Sequence, residues 1–242
     1  MRHKISLLIS FILAFVALTA NAGTQTPQLK ITVEDQPPYN FVSPSGKLAG
    51  SGTEAVQAIM QRAAISYEIH VYPWTRAIGL AEHNKDTCVF STTRTATREK
   101  KFLWIGPIAA DDWVLFARAD DPIVLKQLDD ARKYVVGGYR GDAVAILLEQ
   151  QNFKLDNATN SEQAGKKLNA NRIDLWAVGS QTGHWIAKRQ NIKIKPVLTV
   201  GSFQLYLACN LNSSPDLIHK LEQAMKSLKD DGTIARLQKK HH

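Results

Sequence analysis

The chain has 242 residues and a formal net charge of +8, from 30 Lys and Arg against 22 Asp and Glu. That length allows one large domain or two lobes of about 100 residues each. The basic excess is dispersed, with no arginine-rich stripe or aromatic–basic alternation, so nucleic acid is excluded as a partner and a weak preference for anions remains.

Residues 1–22 read as a secretory leader. Arg2, His3 and Lys4 make a basic start, Ile5 to Leu18 is apolar but for two serines, and Ala20-Asn21-Ala22 is a small-x-small cleavage signal before Gly23. The apolar run is too short for a comfortable membrane span, and no cysteine stands at the cleavage point to carry a lipid. The expectation is a periplasmic protein, exported by a leader cleaved after Ala22. Arg2 and Lys4 are the only Lys, Arg, Asp or Glu removed, so 220 residues of formal charge +6 remain. Cys88 and Cys209 each sit in an apolar, strand-like run. They read either as a disulfide in an oxidising compartment or as two buried thiols, and they lack metal-ligand or C-x-x-C spacing. The seven histidines are scattered, without metal spacing.

In chain order, Leu29 to Glu34 alternates with period two and predicts a strand, ended by Pro37-Pro38. Ser43 to Gly46 is a turn, and Thr53 is placed to cap a helix through about Ala64 with Val56, Ile59, Met60 and Ala63 on one face. Tyr67 to Tyr72 is a second strand, Thr75 to about Asn84 a helix, and Asp86 to Ser91 a third strand. This β-α-β-α-β order implies a parallel, helix-covered sheet whose ligands gather at the carboxyl ends of the strands. Those ends carry Glu34 to Tyr39, Trp74, and Ser91 to Arg98. A row of hydroxyls followed by arginines fits the grip on a small anion, because a guanidinium holds a carboxylate with two parallel hydrogen bonds. The alternative is a solvated loop whose arginines pair with Glu99.

Further strands are predicted at Asp112 to Arg118, Tyr134 to Gly137, Lys154 to Ala158, Ile173 to Val178, Ile192 to Val200 and Phe203 to Cys209. Helices are predicted at Pro122 to Arg132, after Asp142 through about Gln151, at Ser161 to Asn169, at about Gln181 to Arg189 and at Pro215 to Leu228, with a short last helix carrying Ile234 and Leu237. Free N–H groups at the helix start after Asp142, with Arg140 beside them, make an anion-friendly corner. The dinucleotide spacing G-x-G-x-x-G is absent. Two α/β halves with a final helical segment left over imply two lobes joined by crossing segments, with the ligand between them.

The sequence resembles the family 3 periplasmic solute-binding proteins of amino-acid importers over essentially the whole length after the leader. The resemblance rests on Pro37-Pro38-Tyr39, Gly46 to Gly50, Thr95 to Arg98, Val136 to Gly141, Asn171 to Asp174 and Leu228 to Thr233, in that order and spacing. Pro73-Trp74-Thr75-Arg76-Ala77 and Trp104 to Pro107 resemble a shorter subgroup of that family. The resemblance implies an α/β, two-lobed periplasmic binding protein fold of type II, each lobe a helix-flanked, mostly parallel sheet. Lobe 1 would comprise 23–115, lobe 2 would comprise 116–205, and 206–242 would return to lobe 1.

The resemblance further implies that Arg98 clamps a ligand carboxylate, Ser91 and Thr93 line the same site, Trp74 and Tyr39 supply walls, and Gly141 to Ala143 close over the carboxylate. One departure matters. Five residues beyond Asp174, where family members carry the aspartate that holds the ligand ammonium, stands Gly179, followed by Ser180 and Gln181, which bring no charge. Glu34, Asp35, Glu54 and Asp142 are the candidate replacements. The implied ligand is therefore a polar amino acid or another small carboxylate, and the implied partner a membrane permease of an ABC transporter or a sensor. The expectation is a monomer without cofactor or metal, and a binder rather than an enzyme. The alternative is a cyclohexadienyl-dehydratase-like enzyme using Glu34, Asp35 and Asp142. The G-x-S-x-G spacing of a nucleophile elbow is absent.

Overall fold

The structure, a computed structural model, describes residues 29–240. The predicted leader and the His241-His242 pair lie outside the described residues.

The first part of the chain holds β1 (Leu29–Val33), β2 (Phe41–Val42), β3 (Leu48–Ala49), α1 (Ser51–Ala63), β4 (Tyr67–Val71), α2 (Trp74–His83) and β5 (Thr87–Thr93). A long strand, β6 (Phe102–Arg118), leads to β7 (Val136–Gly137), α3 (Ala143–Gln150), α4 (Ser161–Asn169), β8 (Leu175–Gly179) and α5 (Ser180–Gln190). A second long strand, β9 (Ile194–Asn210), returns the chain to α6 (Pro215–Asp230) and α7 (Thr233–Lys240). Seven strands make one sheet in the order β4-β1-β5-β9-β6-β8-β7. Its outer ladders (β1 with β4 and β5, β7 with β8) are parallel, and the inner ones through β9 and β6 are antiparallel.

The two long strands explain the two-lobed architecture. β6 and β9 pair from Phe102↔Asn210 to Arg118↔Ile194 and serve different cores at their two ends. Ile105, Ile108, Leu205 and Leu207 join the apolar cluster of β1, α1 and α6. Leu115, Ala117, Val114 and Phe116 join the clusters around β8 and helices α3 to α5.

Several predicted elements differ from the observed ones. The predicted strand Asp112 to Arg118 extends back to Phe102, and the two predicted pieces over 192–200 and 203–209 merge into one continuous strand. Pro107 is accommodated because the register shifts between Ile105 and Ala109, which removes its missing N–H from the ladder. A further shift between Trp113↔Gly201 and Val114↔Thr199 leaves Val200 unpaired and carries β9 past Gly201-Ser202. The predicted helix over 122–132 is only a 3-10 segment, Leu128–Lys133, begun by a Gln127/Asp130 capping box. Ahead of it Ile123 and Leu125 are buried while Val124 is 77% exposed, an alternation of extended chain rather than helix. Lys154 to Ala158 contributes only isolated bridges, Val136↔Leu155 and Tyr139↔Ala158. Thr53 is not the cap of α1: Gly50 takes that position, and the first-turn N–H groups of Ser51, Gly52 and Thr53 donate to the Pro38 and Tyr39 carbonyls. Cys88 and Cys209 face each other across β5 and β9 and form a disulfide.

Candidate ligand-binding cleft

A cavity of about 1030 Å³ lies where the two lobes meet the crossing strands. Thr93 and Arg98 line it from the end of β5 and the following loop, Asp111 from β6, Ala143 and Ile146 from α3, and Gln181 from α5. Its size suits a small molecule.

Arg98 is the buried cation of this cleft. Its residue is only 6% exposed, and the guanidinium lies 5.2 Å from the centre of the Trp74 ring. One terminal nitrogen donates to the Thr93 carbonyl at 3.2 Å, the other to the Gly141 carbonyl at 2.9 Å. Trp74 Nε1 donates to that same Gly141 carbonyl at 2.8 Å. Gly141 has φ of +81°, and a Cβ there would lie 3.3 Å from Thr75 and 3.4 Å from the Trp74 ring, so the turn requires glycine. Burial lowers the Arg98 pKa, and the neighbouring Asp142 carboxylate opposes that shift. Asp142 caps α3 by accepting from the Ala143 N–H at 2.7 Å; burial raises its carboxyl to about 6 against the pull of Arg98.

The other candidates divide. Glu34, 8% exposed at the end of β1, accepts a 2.8 Å hydrogen bond from the Tyr139 hydroxyl, and burial raises its carboxyl to about 8. Ser91 sits at the bulge between β5 and β9 with φ of +55°; its buried Oγ faces Gly52 and has no hydrogen-bond partner. Tyr39, expected as a wall, is buried and is not among the residues lining the cavity; it reaches the site only through its hydrogen bond to Asp111. Ser180 is half-buried and its carbonyl meets His184 of its own helix. Arg140 is exposed and stands apart from the residues lining the cavity, so the expected anion corner does not include it. Arg94 lines the cavity but is exposed, and its guanidinium pairs with Glu99. Asp174 accepts from the Val135 N–H at 2.9 Å, which ties the chain before β8 to the chain before β7 rather than capping local backbone.

The residue that sequence reasoning missed is Asp111. Its Oδ2 accepts from the Tyr39 hydroxyl at 2.7 Å and from the Gln181 N–H at 3.0 Å. Burial raises its pKa, and the Tyr39 hydrogen bond opposes the rise. A Cβ on Gly179 would come within 3.0 Å of that oxygen and 3.3 Å of Phe203. The Asp111 carboxylate thus occupies space that a side chain at 179 would need. A signal was present: Asp111-Asp112 interrupts an otherwise apolar strand, and a partly buried carboxylate needs a structural or functional reason. Guanidinium and carboxylate on two walls of one cavity complement a dipolar solute.

A profile of the bacterial extracellular solute-binding proteins, family 3, matches residues 29–242. The chain belongs to that family. Among curated solute-binding relatives, the L-cystine-binding protein TcyJ of Escherichia coli (strain K12) is 21% identical over 207 residues, covering 84% of this chain and 78% of the relative. Among solved structures, a histidine kinase sensor domain with similarity to periplasmic binding proteins superimposes with a TM-score of 0.82 at 19% identity, covering 89% of this chain and 96% of that one. The substrate-binding protein of an amino acid ABC transporter gives 0.78 at 18% identity, covering 88% and 98%. At these identities the structures establish the two-lobed fold. Membership of the solute-binding family, together with that fold, makes solute or ligand binding the function.

Proposed function

We propose that the protein binds a small carboxylate-bearing solute, foremost a polar amino acid, between its lobes in the periplasm and delivers it to an ABC permease. The observation that carries this reading is the buried Arg98 guanidinium at one wall of the cavity, with the Asp111 carboxylate at another. Arg98 holds the ligand carboxylate beside Thr93, and Asp111, set by Tyr39 and Gln181, holds the ammonium. The lobes are 23–115 with 206–242, and 116–205; they close on the ligand by hinge motion, and the monomer releases it unchanged. Similarity to amino-acid and cystine binders supports this solute class. A second reading, presentation of the ligand to a sensor, is favoured by the likeness to the kinase sensor domain.

Calorimetric titration with amino acids and with the same acids lacking the amine tests the assignment. Arg98→Ala should lose at least about 2 kcal/mol for both ligand types, roughly thirtyfold in affinity. Asp111→Asn should weaken only the amine-bearing ligands. Unchanged binding in Arg98→Ala would remove the carboxylate clamp, and equal binding of both ligand types by the native protein would remove the amine site. Conversion of the ligand during incubation, followed by mass spectrometry, would turn the reading to an enzyme.

A further inference from the structure

Tyr139 belongs to the segment between β7 and α3, yet its side chain packs into an apolar cluster of the other lobe. It lies among Trp74, Ala77 and Ala81 of α2, Val89 of β5 and Phe102 of β6. At the bottom of that insertion its hydroxyl meets the Glu34 carboxyl. Three more direct bonds tie the lobes nearby: Thr182 of α5 donates to the Pro37 carbonyl at 2.7 Å, and the Gly141 carbonyl accepts from Trp74 and from Arg98. The Tyr139–Glu34 contact differs from these because one partner titrates.

The charged and titratable groups facing Glu34 come from each surrounding element. They are Tyr139 and Asp142 from the β7–α3 segment, Arg98 from the loop after β5, and Asp35 from its own strand end. Burial, and behind it Asp142 and Asp35, disfavours a negative charge on Glu34; the hydrogen bond that Tyr139 donates and the charge of Arg98 favour it, but both terminal nitrogens of Arg98 donate to the Thr93 and Gly141 carbonyls. Separating the lobes would withdraw Tyr139 and Asp142 and admit water to the carboxyl. The loss of water outweighs the Tyr139 bond, so closing places Glu34 where the neutral form is the stable one.

We propose that Glu34 and Tyr139 form a proton-dependent latch, in which closure of the lobes takes up a proton at Glu34 and its loss releases them. The latch rests on the hinge motion proposed above. The sign follows from the direction of the shift. The Glu34 carboxyl is raised in the closed form, to about 8 from an ordinary 4.5. The closed form is thus favoured at low pH, and the advantage disappears as pH rises through about 8. Solute capture is then coupled to proton uptake, and affinity falls as the medium becomes alkaline.

Small-angle scattering on the purified protein between pH 6 and pH 9 tests this. The radius of gyration should increase with a midpoint near pH 8 in the native protein, and Glu34→Gln, which keeps an acceptor for Tyr139 but cannot ionise, should remain compact throughout. Tyr139→Ala, with its fold checked by circular dichroism, should be expanded already at pH 6. Expansion of Tyr139→Ala without any pH response in the native protein would leave the hinge standing and overturn the proton latch. An unchanged pH response in Glu34→Gln would overturn it as well. Absence of expansion in every protein would overturn latch and hinge together.

Discussion

A side-chain carbon built on Gly179 would sit 3.0 Å from the carboxylate of Asp111, a residue 68 positions earlier on a different strand. The two positions share one space, and glycine at the end of β8 leaves it to the aspartate. The contact predicts that Gly179→Ala displaces Asp111. The added methyl meets a carboxylate held by Tyr39 and Gln181 on one side and the Phe203 ring on the other. Amino-acid affinity measured by calorimetry should fall by about tenfold, corresponding to ~1.4 kcal/mol. Ligands lacking the amine should bind as before.

Stability should depend on pH through two buried acids. Glu34 is raised to about 8 and Asp142 to about 6 in the folded protein. Between the ordinary carboxylate range and those values the folded state binds more protons than the unfolded one. The stability they contribute is therefore present at low pH and declines as pH rises, through about 6 for Asp142 and about 8 for Glu34. Urea denaturation followed from pH 5 to pH 9 should show falling stability, and Glu34→Gln should flatten the upper part of that curve.

The disulfide joins residues 121 positions apart and ties the strand that ends in Ser91 and Thr93 to the return strand β9. Cross-linking so long a loop restricts the unfolded chain. Replacing both cysteines by alanine should cost about 2–5 kcal/mol of unfolding free energy in urea titrations. Both cysteines are fully buried, so mild reductant should act slowly on the folded protein and rapidly once it unfolds.

Much of the site was legible in the chain. Arg98 announced itself as a guanidinium after a run of hydroxyls at a strand end, and Thr93 and Arg98 do line the cavity. Trp74 and Gly141 were also singled out, but as wall and lid. Neither was read as the donor–acceptor pair that fixes Arg98, because the two are 67 positions apart and their bond exists only across the lobes. Arg140, read as part of an anion corner, is exposed; local sequence does not say to which side a turn directs its side chain. Asp111 was overlooked because its strand was read as an apolar run beginning next to it, whereas β6 begins nine residues earlier at Phe102.

The sequence by itself determined most of the helices, the outer strands and the family. Period-two and helical spacing are local properties of the chain, so helices such as Ser161–Asn169 could be read from it to the residue. The order of elements and markers then carried the two-lobed architecture. Tertiary structure alone decided which charges meet. Asp111 faces the same cavity as Arg98, Tyr139 reaches Glu34 across 105 positions, and Cys88 lies opposite Cys209. Each of these depends on the register of the two crossing strands and on how closely the lobes approach. Such long-range geometry is set by the packing of whole elements, and no local pattern of residues encodes it.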